Sequence, residues 1–234
     1  MELDGIFIDM YGTLTTGDRA AVEAVCREII VDTGLRVSPS ELAVSWGQRF
    51  FAAMDRANCG GFRPLVQLEA DSLIQTMAEL GITIDPYPRV RHLVDYWRNP
   101  PLQPETREFL GRFTVPICIV SNADRADLEA ALRQHDIRVA AMVTSQDARS
   151  YKPDRRIFDL ALAVTGWRRD RVIHVGDSLH SDVGGARAAG LTSGWVNRAH
   201  RIHDIGTARP DYQFADLLGL AELVRTSRPG RRPA

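Results

Sequence analysis

The chain has 234 residues, 44% of them hydrophobic and 25% charged, with a formal net charge of -1. That length fits one large or two modest globular domains, and that balance excludes a global electrostatic pull toward nucleic acid or a membrane surface. No apolar run is long enough to span a bilayer, and the acidic start Met1-Glu2-Leu3-Asp4 has the character of neither a signal nor a transit peptide.

The first element is an apolar strand, Ile6-Phe7-Ile8, that ends in Asp9 and is followed by a Gly12-Thr13 turn. A buried strand holds a carboxylate rigidly, and a glycine turn brings backbone amides close to it, which is how a carboxylate nucleophile is presented. Four helices are predicted next. They run from Asp18 to Thr33 with Gly34 as stop, from a Ser38-Pro39-Ser40-Glu41 capping box through Ala57, from Leu65 to Leu80, and from Pro86 to Arg98. Four helices without a strand suggest a module of their own, residues 15–99. The Pro-rich stretch Asn99 to Pro104 marks its end.

From there strand and helix alternate. Helices are expected over Glu105–Arg112, Ala126–His135, Pro153–Thr165 and Leu179–Ala189, and strands over Val115–Val120, Ala141–Thr144, Arg171–Val175 and Thr192–Val196. This cadence predicts an α/β fold, a Rossmann-like parallel sheet with helices on both faces, formed by residues 1–14 and 100–225. Residues 226–234 read as a solvated basic tail rather than a nucleic-acid arm. Cys26, Cys59 and Cys118 are odd in number and lack metal-ligand spacing, which suits a reducing, cytoplasmic setting.

Each core strand ends in a polar cluster: Asp9, then Ser121-Asn122, then Lys152 in the following loop, then Gly176-Asp177. Singly, each of these residues also suits a turn or a helix cap. Together they fall at the same end of successive strands, where ligands bind in such sheets. Lys152 is the only lysine among 29 basic residues, so any chemistry that needs a lysine amine must use it.

Apolar strands ending in Asp, Ser, Lys and Asp in that order resemble the haloacid dehalogenase superfamily. The matching motifs are Asp9-Met10-Tyr11-Gly12-Thr13, Val120-Ser121-Asn122, Tyr151-Lys152-Pro153-Asp154 and Val175-Gly176-Asp177-Ser178-Leu179-His180-Ser181-Asp182. The match continues through Gly185–Gly190 and Trp195-Val196-Asn197-Arg198. The resemblance implies a hydrolase core with a helical cap, and Asp9 as nucleophile forming an aspartyl-phosphate. It further implies that Thr13, Ser121 and the Asn122 backbone amide bind phosphoryl oxygens, and that Lys152 holds Asp9 ionised. Mg²⁺ would sit among Asp9, Asp177 and the Tyr11 backbone carbonyl, with Asp182 nearby. The expected partner is a small phosphate ester. The sequence leaves the ester itself and the oligomeric state open.

Tyr11 divides the readings. The family's usual phosphatases carry an aspartate there, which protonates the leaving group and activates water, and a phenol is a poor base near neutrality. Asp-x-Tyr-Gly-Thr resembles the metal-independent 2-haloacid dehalogenase branch instead. Asp177 and Asp182 favour the metal-dependent phosphatases, because the dehalogenase branch carries Ser-x-Asn in motif four. That branch also resembles a pattern with arginine just after a cap aromatic, whereas Gly47 follows Trp46 here. The phosphonatase branch needs a cap lysine, and this segment has none. The leading expectation is a Mg²⁺-dependent phosphatase. The alternatives are a 2-haloacid dehalogenase and a non-catalytic phosphate-binding or partner-binding protein. Tyr11, His180 or a cap side chain is expected to replace the absent acid. Arg49 and Arg63 are candidates to grip an anionic group, and Trp46, Phe50 and Phe51 are read as packing residues.

Overall fold

The computed structural model describes residues 2–202 and 206–226. Six strands, β1 (Gly5–Ile8), β2 (Ile117–Ser121), β3 (Ala141–Thr144), β4 (Val172–Gly176), β5 (Thr192–Val196) and β6 (Tyr212–Phe214), form one sheet in the order β3-β2-β1-β4-β5-β6. All five pairings are parallel. This is the expected α/β, Rossmann-like core.

Alternation along β1 explains the two layers. Ile6 and Ile8 face one side, where they pack with Phe109, Leu128, Ala131, Leu217 and Leu220. These last residues lie on α5 (Thr106–Arg112), α6 (Arg125–Gln134) and α10 (Leu217–Thr226). Phe7 faces the other side, with Ile157, Phe158 and Ala161 of α8 (Arg155–Thr165) and Ala186 of α9 (Gly185–Ala188). Burial on both faces is why the strands read as continuous apolar runs rather than alternating ones.

Between β1 and α5 lie the four expected helices, α1 (Asp18–Thr33), α2 (Pro39–Asn58), α3 (Leu65–Glu79) and α4 (Tyr87–Arg98). The box on α2 forms as read: the Ser38 side chain accepts from the Glu41 N–H while Glu41 accepts from the Ser38 N–H. These helices share a separate cluster built on Trp46, Leu68, Leu73, Leu93 and Trp97. The two connecting segments pair with each other. Thr15 bridges Leu102, the Thr16 N–H donates to Pro101 O at 2.8 Å, and the Gln103 N–H donates to Leu14 O at 3.0 Å.

Three features depart from the sequence reading. The helix expected over Leu179–Ala189 is a wide π-helical turn, Leu179–Gly184, followed by the single α-helical turn α9. A short helix α7 (Ser145–Ala148), not anticipated, directly follows β3, and β6 joins the sheet edge from a polar stretch. The solvated tail expected over residues 226–234 lies, beyond Thr226, outside the described residues. Among those described, no helix is long and apolar enough to cross a membrane.

Candidate active site

Because every strand is parallel, the ends of β1, β2 and β4 meet at one edge of the sheet. The chain order reverses there, with β2 on one side of β1 and β4 on the other. Asp9, Ser121, Asp177 and Asp182 therefore converge.

Lys152, itself 3% exposed, ties them together. Its Nζ donates to Asp9 Oδ1 at 2.7 Å, to Asp182 Oδ1 at 2.6 Å and to Val120 O at 3.0 Å. Ser121 Oγ adds a 2.9 Å bond to Asp9 Oδ1. Asp182 also accepts from His174 Nε2 at 2.9 Å and from the Ser178 N–H at 3.0 Å. Burial would depress the Lys152 ammonium, but Asp182 and Asp9 together outweigh it and raise its pKa. For Asp182 burial acts upward, yet the Lys152 charge and the His174 bond prevail and hold the carboxyl low. Asp9 is raised, since burial and the Asp182 charge outweigh its share of Lys152.

Asp177 is pushed up to about 7, first by burial and then by Asp182 and Asp9. Oxygens of Asp9, Asp177 and Asp182 all lie within 4.8 Å of one another. Two of the three carboxylates share one ammonium and Asp177 is not bonded to it, and the all-oxygen donor set and its unbalanced negative charge fit a hard divalent cation such as Mg²⁺. Two glycines permit this crowding. Gly12, at φ +84, would place a Cβ 2.8 Å from both Asp177 carboxylate oxygens, and a Cβ on Gly176 would lie 2.1 Å from Asp182 Cγ. The π-turn carries Asp182 back toward the sheet into the space Gly176 leaves.

Other expected residues sit differently. Thr13 Oγ1 donates to Asp177 Oδ1 at 3.4 Å. The Asn122 side chain brackets the Lys152 backbone, accepting from its N–H at 2.8 Å and donating to its carbonyl at 3.3 Å. Tyr11 donates its hydroxyl hydrogen to Trp97 O at 2.9 Å, and burial raises the phenol's pKa, so it fastens α4 rather than offering a proton. His180 lies outside, its exposed ring 3.7 Å from Asp55. Arg49 pairs with Glu79 and Arg63 with Asp71. Trp46 is buried packing as expected, and Phe51 is 59% exposed. Arg198, from the last motif, donates to Gly12 O at 3.1 Å and Thr13 O at 2.8 Å while pairing with Glu105, which braces the turn.

Two residues escaped the sequence reading. His174 is the one polar side chain inside apolar β4, and that oddity was its signal. Burial lowers its pKa, so a neutral ring donates to Asp182. Asp18, taken only as the start of α1, lies half-buried beside the Tyr96 hydroxyl, and burial followed by the Asp9 charge pushes it up to about 6.

The comparisons agree with this architecture. A family model described as haloacid dehalogenase-like hydrolase matches residues 3–190. An (S)-2-haloacid dehalogenase of Pseudomonas sp. (strain YL) is 26% identical over 96% of this chain and 96% of its own length. The pyrimidine 5'-nucleotidase YjjG of Escherichia coli (strain K12) is 27% identical over 95% of this chain and 89% of its own. The L-2-haloacid dehalogenase structure from Xanthobacter autotrophicus superposes with a TM-score of 0.79 at 20% identity, covering 96% of this chain and 99% of that one. With the four motifs gathered at one sheet edge and the family model spanning most of its length, the chain belongs to the haloacid dehalogenase-like hydrolases.

Proposed function

We propose that the protein is a Mg²⁺-dependent phosphatase acting on a small phosphorylated metabolite through Asp9, with residues 15–99 serving as a cap over the site. The observation that carries this reading is the Asp9, Asp177 and Asp182 trio, whose charge a single lysine leaves unbalanced. These carboxylates, with the Tyr11 backbone carbonyl, would hold the cation. When bound, it supplies the charge neutralisation that lets an anionic nucleophile meet an anionic phosphate.

Asp9, aimed by Ser121 and Lys152, attacks phosphorus as the bond to the ester oxygen breaks. The Asn122 backbone N–H and the Thr13 hydroxyl, turned from its long 3.4 Å bond to Asp177, are the donors for the phosphoryl oxygens, while Ser121 stays on Asp9. The departing alcohol needs a proton, and the Tyr11 hydroxyl is committed to Trp97. Asp18, half-buried and pushed up to about 6 by burial and then by the Asp9 charge, is the carboxyl proposed to supply it. It then takes a proton from the water that cleaves the aspartyl-phosphate.

Asp18→Asn is therefore expected to lose about 10²-fold in kcat on alkyl phosphates. With p-nitrophenyl phosphate, whose leaving group needs no proton, the variant is expected to release a burst of one p-nitrophenol per enzyme and then slow. A linear time course at the native rate would remove Asp18 from the mechanism.

A second reading, 2-haloacid dehalogenase, is favoured by the Asp9-Met10-Tyr11-Gly12-Thr13 motif and by relatives named as dehalogenases that match along nearly the whole chain. Against it, Asp177 stands where that branch carries the serine of its Ser-x-Asn pattern, and Gly47 rather than an arginine follows Trp46. The deciding assay runs phosphate release from a panel of small esters, with Mg²⁺ or with EDTA, beside chloride release from 2-chloropropionate. Mg²⁺-dependent phosphate release is the expected result. EDTA-insensitive chloride release would establish the second reading, and silence in both assays would point to a phosphate-binding or partner-binding protein.

A further inference from the structure

Lys152 is held from two sides by the same device. From the core, the Asn122 amide reads the Lys152 peptide, bonding both its N–H and its carbonyl. From the last residue of α2, the Asn58 amide reads the preceding peptide in the same manner. Its Oδ1 accepts from the Tyr151 N–H at 2.8 Å and from Ser150 Oγ at 3.3 Å, and its Nδ2 donates to Tyr151 O at 3.0 Å. The backbones of two consecutive residues are thus pinned by two asparagines, one on each side of the boundary between insert and core.

The chain after Asn58 continues the contact. Phe62 stacks on the Tyr151 ring with centroids 5.2 Å apart, and Tyr151 donates its hydroxyl hydrogen to Arg63 O at 2.7 Å. Arg156 donates to Asn58 O at 2.8 Å. Tyr151 is fully buried by these neighbours.

We propose that Asn58 is a positioning residue which makes the placement of Lys152 depend on the seating of the helical insert. A seated insert fixes the Tyr151 peptide, the Tyr151 peptide fixes the next residue, and the ammonium then reaches both Asp9 and Asp182. When the insert lifts, Asn58 leaves with α2 and only Asn122 still restrains the loop. The site is complete only when covered, and a displaced ammonium leaves Asp9 without its partner while water has access. This inference holds whichever electrophile Asp9 attacks.

The single lysine makes the test direct, because an amine reagent can modify only Lys152 and the chain's N-terminus. Native protein and Asn58→Ala are treated with N-hydroxysuccinimidyl acetate, and acetylation of the Lys152 peptide is followed by mass spectrometry. Asn58→Ala is expected to accelerate Lys152 acetylation about tenfold or more, because the label enters through local opening. Arg98→Ala, which breaks a different contact of the insert with the core, the 2.7 Å pair with Asp127, is expected to change it less than about twofold. Equal acceleration in both variants would reduce Asn58 to a general docking contact and overturn the proposal, as would an unchanged rate in Asn58→Ala.

Asn58→Asp, which loses the donor to Tyr151 O but keeps the side chain's shape, is expected to accelerate labelling in the same direction and serves if the alanine variant fails to fold. On p-nitrophenyl phosphate, Asn58→Ala is expected to lose kcat about tenfold with KM within about twofold, and a loss confined to KM would overturn the proposal. Failure of the phosphatase reading is seen separately, as inactivity of the native protein on that ester, and leaves the labelling comparison intact.

Discussion

Asp9→Asn is expected to lower kcat by at least about four orders of magnitude on whatever substrate the native enzyme turns over. The asparagine has nearly the same shape, and its carbonyl oxygen can still accept from Ser121 Oγ and Lys152 Nζ, which now meet Asp9 Oδ1 at 2.9 and 2.7 Å. The expected loss is therefore chemical: a neutral amide oxygen is too poor a nucleophile to form the aspartyl intermediate that the proposed mechanism requires. The same change removes one of three crowded carboxylates, so the thermal midpoint without Mg²⁺ is expected to stay level or rise. Parallel kinetics and melting curves check both halves. Native-level turnover would exclude Asp9 as nucleophile, and a large fall in midpoint would make it a structural residue.

The second large effect concerns stability and arises away from the site. Glu69, on α3, is buried with its carboxyl pushed up to about 8, and burial is the cause. Its charge would raise the Cys26 thiol on α1 and the Tyr151 phenol from the core, and among the described residues no ion pair joins it to a base. In the unfolded chain a glutamate titrates near its ordinary value of 4.5. Below that pH both states are protonated and Glu69 is neutral in its effect. Between that value and about 8 the unfolded state ionises while the folded state does not, so stability falls as pH rises, by on the order of 3–5 kcal/mol in all.

Glu69→Gln is expected to change stability by less than about 1 kcal/mol at pH 4 and to be the more stable protein by a few kcal/mol at pH 9. Urea unfolding at the two pH values measures this. Parallel profiles for the two proteins would show that Glu69 reaches water or a partner when ionised.

Much of this architecture could be read from the chain because local signals and tertiary demands coincide. Ser38, Pro39 and Glu41 cap α2 by contacts made within four residues, so no knowledge of the fold is needed to place that helix start. The strands were legible because burial on both faces leaves them apolar up to their polar ends, and Asp9, Ser121 and Asp177 mark those ends. What could not be read depends on distant neighbours. Nothing local says that Tyr11 will spend its hydroxyl on Trp97, 86 positions away, and that single bond removes it as a proton source. The π-turn at Leu179–Gly184 is required by where Asp182 must reach, through the space that Gly176 leaves. β6 is three residues long and is itself the sheet edge, pairing only with β5, so its own composition carries little of its stability.

Asp124, three residues after Ser121, accepts the N–H groups of Leu65 at 2.9 Å and Val66 at 3.1 Å, the first two of α3. Pro64, which precedes that helix, provides no side-chain cap of its own. The core thus supplies the capping acid for a helix that belongs to another part of the molecule. Modularity is limited accordingly: residues 15–99 excised alone would begin α3 without its capping carboxylate, its first N–H groups left to water. Grafting this helical unit onto a related scaffold would require an acid at the equivalent of position 124, so shuffling of such units between relatives is constrained by one residue that lies outside the unit being exchanged.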